Sequence, residues 1–122
     1  MTKRYLQPSI RYSKAVRAGD TIYLSAVYPL TSGPSAAEQM CEVLELIDSY
    51  LAELGAMRAD IVKATVFVAN MADFVSINEV WDTWVTSEHA PARTPVFGPL
   101  LRPEAKVGVE VIAVAEGGEK TP

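Results

Sequence analysis

The chain has 122 residues, a net charge of −4 and 49% hydrophobic residues. That balance excludes a disordered chain and suits one folded domain that buries about two-thirds of its unfolded surface. The acidic charge argues against a nucleic-acid partner, whose phosphates demand a basic face. No apolar run reaches the roughly 18 residues of a membrane span, and Met1-Thr2-Lys3-Arg4-Tyr5 leads into no apolar signal core. The single cysteine, Cys41, permits no internal disulfide framework and fits a reducing compartment. A cytoplasmic protein with no membrane association is expected.

In chain order, Tyr12 to Val16, the turn Ala18-Gly19-Asp20 and the run Thr21 to Tyr28 read as a hairpin. Ser35-Ala36-Ala37-Glu38 is a capping box, the serine able to accept from an orphan N–H and the glutamate able to reach back. Met40, Leu44, Ile47, Leu51 and Leu54 then recur at helical spacing, and Gly55 stands where a left-handed residue ends a helix. The spacing predicts a helix over 36–54, with Glu38, Glu42, Glu45 and Glu53 on a solvated face and Cys41 on a flank as a small buried hydrophobe. Ile61 to Ala69 is β-branched and almost continuously apolar, as a strand covered by helices would be. A second helix over 73–85 places Phe74, Ile77, Trp81 and Trp84 on one stripe, read as core. His89 is the only histidine. With no cluster of metal-ligating residues beside it, it reads as a loop residue, and no metal and no cofactor are expected.

Pro91-Ala92-Arg93-Thr94-Pro95 follows. Proline removes donors and restricts the residue before it, so the segment reads as a stiff connection. A guanidinium there offers a carboxylate a planar fork with little freedom to lose; the plain alternative is a surface arginine beside a turn. Lys106 to Val114 reads as a strand and Gly117 to Pro122 as a loose tail. The chain is thus one α+β domain over 1–122, of order ββαβαββ, with two helices on one face of a mixed sheet. In so small a chain the other face needs a cover, and a partner subunit is the expected one.

Four segments together are similar to the RidA family, also called YjgF or L-PSP proteins. They are Tyr12-Ser13-Lys14-Ala15-Val16 with Ile22-Tyr23-Leu24-Ser25, Ile61 to Val68, Met71-Ala72-Asp73-Phe74 with Asn78-Glu79-Val80, and Pro91-Ala92-Arg93-Thr94. Any one is weak; in order they span nearly the whole chain. The resemblance implies a chorismate-mutase-like α+β fold and a homotrimer with clefts between subunits. It also implies hydrolysis of 2-enamines and 2-imines, such as 2-aminoacrylate, to 2-keto acids and ammonia.

Residue by residue, the resemblance makes Arg93 the grip on the substrate carboxylate, Tyr12 a catalytic residue lining the cleft, and Ser25 and Asn78 polar positions beside it. Three positions depart from the family pattern. Ala26 stands where glycine is usual, keeping the N–H but adding a methyl. Pro95 stands where cysteine is frequent and deletes a donor, next to Thr94 on the substrate side. Gly108 replaces a glutamate that handles water or a proton, a role worth about 10²–10⁴-fold. Glu110, two residues on and so on the same strand face, is the carboxylate that could stand in. The loop 31–35 is short, which opens the cleft to a larger enamine. Three functions follow: an imine/enamine deaminase of small 2-imino acids, a non-catalytic small-carboxylate-binding trimer, and the ribonuclease activity attributed to some relatives. The acidic charge and single histidine make the third the weakest.

Overall fold

Glycine starts the framework. Gly19 adopts φ 62°, a left-handed conformation that a tight turn uses and a side chain resists. It lets β2 (Ala15–Ala18) fold back antiparallel on β3 (Thr21–Leu24), with Ala18 opposite Thr21. The computed structural model describes residues 2–31, 33 and 35–117. The expected tail beyond Gly117, and Ser32 and Pro34 of the short loop, lie outside the described residues. The hairpin strands are shorter than the sequence suggested: Tyr12 lies in the approach to β2, and residues after Leu24 leave the ladder. Only Val27 rejoins it, through a bridge to Val109.

Two strands differ from expectation. An N-terminal strand, β1 (Lys3–Leu6), pairs antiparallel with β2 and buries only Leu6. The Pro-Ala-Arg-Thr-Pro stretch is not a connection: Ala92–Phe97 forms β5, parallel to β4 (Ile61–Val68), with Arg93 opposite Ala64. Proline is tolerated there because β5 is an edge strand. With β6 (Val107–Val114), the sheet has six strands in the order β1-β2-β3-β6-β4-β5, so Arg93 lies on one edge strand. Every pairing except β4–β5 is antiparallel.

Helix α1 (Ala36–Glu53) begins as the sequence predicts. Ser35 Oγ accepts from the Glu38 N–H at 3.1 Å, while Glu38 reaches the serine hydroxyl rather than its backbone. Gly55 (φ 80°) follows its end. Met40, Leu44, Ile47, Leu51 and Leu54 are buried, each worth roughly 1.5–3 kcal/mol in area removed from water. Cys41 is exposed, not buried: one residue past Met40 it turns to the side of Glu45, its i+4 neighbour. Helix α2 (Phe74–Trp84) buries Ile77 and Trp81. Trp84 is half-buried and donates its indole N–H to Asp48, which also pairs with Arg58 at 2.7 Å.

The helices pack on each other and cover one sheet face, where Ile22, Leu24, Ala64, Val66, Val68, Val107, Val109, Val111 and Ala113 join their core. Arg17 enters this core, 2% exposed. Its three donors reach the carbonyls of Gly19 (2.8 Å), Leu54 (2.6 Å) and Ala115 (2.9 Å), joining the hairpin turn, the end of α1 and the end of β6. A cation among the last carbonyls of a helix also meets the negative end of its dipole. Among the described residues no element covers the opposite sheet face. Across it, Tyr5, Val16, Tyr23 and Ile112 are register partners in an apolar row, and Tyr5 and Tyr23 are about half exposed. Among the described residues no helix is long and apolar enough to cross a membrane.

Candidate functional site

The expected site residues fall into two groups, on opposite faces of the sheet. The first lies in the seam between β5 and α2. Arg93 shares the helix-covered face with its register partner Ala64, and its guanidinium lies 5.2 Å from the Trp81 ring centroid and 5.7 Å from that of Phe74. Phe74, Asn78 and Trp81 are spaced i, i+4 and i+7, hence on one side of α2. Arg93 Nη1 and Asn78 Oδ1 are both buried with no hydrogen-bond partner among the described residues. A buried donor and acceptor left unsatisfied each cost free energy unless a ligand or partner meets them. Phe97 packs edge-on against Phe74 at 5.2 Å and closes the seam. Pro95 points the same way along the strand but is exposed. Thr94 turns to the other face, where its hydroxyl accepts from Lys63 Nζ at 2.9 Å.

The second group surrounds a cavity of about 500 Å3 lined by Tyr12, Lys14, Ala26, Tyr28, Leu30, Leu101 and Arg102. Tyr12 is held where the chain turns into β2, its carbonyl accepting from the N–H and hydroxyl of Ser9. Ser25 supports this wall without lining it: its hydroxyl donates to the Ser13 carbonyl at 2.8 Å and its N–H to that of Lys14. The two rims hang from the first turns of α1. Glu42 accepts from the N–H groups of Leu30 (2.7 Å) and Thr31 (3.1 Å) and from the Thr31 hydroxyl (2.7 Å). Those bonds, the threonine hydroxyl first, hold its carboxyl below the usual 4.5. So Glu42 is not simply part of a solvated face. Gln39, 1% exposed, donates to the carbonyls of Gly33 and Glu104 and accepts from the Lys106 N–H. Arg102 crosses between the rims, reaching Pro29 O at 2.6 Å and Glu104.

Gly108 is the residue on which the strand floor of this region turns. A Cβ built there would stand 2.6 Å from Tyr28 Cε1 and 2.8 Å from Cδ1, closer than real side chains approach. The Tyr28 ring therefore lies on the strand where a side chain at 108 would project. Tyr28 was not singled out from sequence, since a contact across 80 positions of chain leaves no local pattern. Glu110 is exposed on the same face, opposite Thr65 of β4, and is not among the residues lining the cavity. His89 is exposed in a short turn, as a loop residue. Among the described residues no group of three or more His, Cys, Asp or Glu side chains is gathered for a metal ion.

One chain thus joins Tyr12, the Ser25 backbone and Ala26, and separately Arg93 and Asn78. From β5 to β3 is three strand spacings, roughly 14 Å, and the two groups face opposite ways.

The chain and its α+β fold match known proteins along nearly their whole length. The sequence model for the family described as Endoribonuclease L-PSP matches residues 2–115, and the chain belongs to that family. It is 34% identical over 113 residues to the RutC family protein YoaB of Escherichia coli K12, covering 93% of this chain and 98% of that protein. The structure of NMB1025 from Neisseria meningitidis, a member of the YjgF protein family, superposes with a TM-score of 0.92 at 40% identity, covering 97% and 98% of the two chains. A Dermatophagoides farinae relative named 2-iminobutanoate/2-iminopropanoate deaminase is 32% identical over 117 residues, covering 90% of each.

Proposed function

We propose that this protein hydrolyses small 2-imino and 2-enamino carboxylic acids to 2-keto acids and ammonia in the cytoplasm, as a homotrimer whose copies complete one another's sites. The observation that carries this reading is the Arg93 guanidinium, which lies over two aromatic rings with Nη1 buried and unpartnered among the described residues. A planar donor fork fixed this way suits a carboxylate. The deaminase name of one relative gives the reaction class. Protonation of the enamine carbon yields the 2-iminium acid; water adds to C2 and a proton moves from oxygen to nitrogen. The C–N bond then breaks to release ammonia as the hydroxyl oxygen forms the keto C=O and gives up its proton, which balances the one added to carbon. In this reading Arg93 grips the carboxylate, Asn78 steadies it, and Tyr12 and Glu110 handle the water and its proton. Ala26, Thr94 and Pro95 border the substrate.

The need for a second copy is supported by the separation of Arg93 from Tyr12 within one chain and by the open apolar row Tyr5–Val16–Tyr23–Ile112. The test is ammonia release from freshly generated 2-aminoacrylate, with a rate above the uncatalysed one expected. No acceleration with this or larger 2-imino acids sinks the reading. The second reading, a trimer that binds small carboxylates without turning them over, is favoured by Gly108, since Tyr28 leaves no room there for a carboxylate side chain.

A further inference from the structure

The cavity is far larger than a three-carbon acid requires. The six heavy atoms of 2-aminoacrylate fill roughly 180 Å3 if each takes the ~30 Å3 liquid share of a water molecule, against about 500 Å3 of space. The surplus is bounded by apolar groups: the rings of Tyr12 and Tyr28, the Ala26 methyl, and Leu30 and Leu101 on the two rims. These leucines stand 62% and 84% exposed, Leu30 with its N–H held by Glu42, and both offer contact area. Charge is placed at one side. Arg102 is occupied by Glu104 and Pro29 O. Lys14 has no carboxylate partner among the described residues, and its ammonium lies 5.9 Å from the Tyr12 ring centroid.

We infer that this cavity takes a carboxylic acid with a large apolar or aromatic side chain, and that Tyr28, seated on Gly108, is the residue that sets this preference. The inference rests on the proposed reading of the site as one for 2-imino and 2-keto acids, and it names the side chain they carry. The substrate's apolar body lies against the Tyr28 ring between Leu30 and Leu101, and Lys14 adds to the attraction of the anion. Tyr28 can lie flat on β6 only because residue 108 has no side chain; the pair lays an aromatic surface along the floor that neither residue makes alone. Aromatic faces bind apolar and aromatic groups with offset or edge contacts.

The experiment is calorimetric binding of two stable 2-keto acids, pyruvate and phenylpyruvate, which needs no turnover. Phenylpyruvate is expected to bind at least tenfold more tightly, since each added methylene in a fitted apolar pocket is worth roughly 10–200-fold. Leu101→Asp, on an exposed rim where folding is not at stake, and Tyr28→Val, which removes the ring but keeps an apolar side chain, should each reduce that ratio at least threefold. Lys14→Met should weaken both acids alike. Equal affinities for the two acids, or a ratio unmoved by Tyr28→Val and Leu101→Asp, overturn the inference. Loss of the deaminase reading looks different: no ammonia from any imino acid, with the binding preference intact.

Discussion

The two halves of the site are built on opposite physical plans. The β5–α2 seam is narrow and aromatic: Arg93 lies over Phe74 and Trp81, Phe97 packs on Phe74, and one donor of Arg93 and the Asn78 acceptor are buried without partners among the described residues. The Tyr12–Tyr28 region is wide, walled by leucines on loops, and its polar groups are mostly spent on holding those loops together. A partly buried cation held against aromatic rings has little freedom to lose, which suits gripping a carboxylate. A broad apolar cavity discriminates side chains. In the proposed reading anchoring and selection therefore belong to different elements, and each can be broken without the other.

The sharpest break is Arg93→Ala. Removing one partner of a charge pair costs about 2–5 kcal/mol, so 2-keto acid affinity and deaminase rate should fall about thirtyfold or more. Circular dichroism should be unchanged, because Arg93 stands on an edge strand. Arg93→Lys should recover little, since an ammonium lacks the fork. If the two halves come from different copies, Arg93→Ala and Tyr12→Ala chains, each inactive alone, should complement when unfolded together and refolded. Random mixing leaves about a quarter of the sites with both residues, as in any head-to-tail assembly. A mixture no more active than its components would return both halves to one chain.

What could be read in the sequence divides along the same line. Helix α1 was legible because a cap, a periodic stripe and Gly55 all act within a few residues of one another. Arg93 was singled out by its flanking prolines, yet their reading as a connection failed: an edge strand tolerates a missing N–H, and edge position is decided by partners distant in sequence. The strand β1 has four residues and one buried side chain, too little pattern to see. Arg17 looks like a polar residue in a short strand, and only the fold brings three carbonyls to it. The Tyr28–Gly108 contact is of the same kind. The sequence shows that a carboxylate is missing at 108; what fills its place is a tertiary fact.

That contact yields a smaller but cleaner prediction. Gly108→Glu should not simply restore a carboxylate, because its Cβ meets the Tyr28 ring at 2.6 Å. Overpacking of this kind costs about 1–3 kcal/mol, or roughly 4–8 °C of melting temperature per kcal/mol at the size of a small domain. Combining it with Tyr28→Ser should return most of the loss, giving a coupling energy of similar size and opposite sign. Deaminase activity gained only in the double variant would make the wild-type protein the binder of the second reading. Activity already present in the wild type, and not raised in the double variant, would give the proton work to Tyr12, Glu110 or water.

The smallest effect concerns the rims. Glu42 has its carboxyl lowered chiefly by the Thr31 hydroxyl; desolvation, the next largest influence, opposes this, and the Leu30 and Thr31 N–H groups and the Arg102 charge lower it further. A carboxyl lowered in the folded state contributes stability that is fully present above its unfolded value. That contribution is lost as pH falls through the lower, folded value. Wild-type protein should therefore lose part of its stability as pH drops below about 4.5, the usual value for the group. Glu42→Gln should be slightly less stable near pH 7 and should lack this part of the acid limb, because its amide does not titrate. The exposure of the rim keeps the difference small. Binding is the more sensitive readout: with the Leu30 rim loosened, phenylpyruvate should weaken by more than pyruvate. An equal loss for both acids would mean that Glu42 serves only the stability of α1, with no part in shaping the cavity.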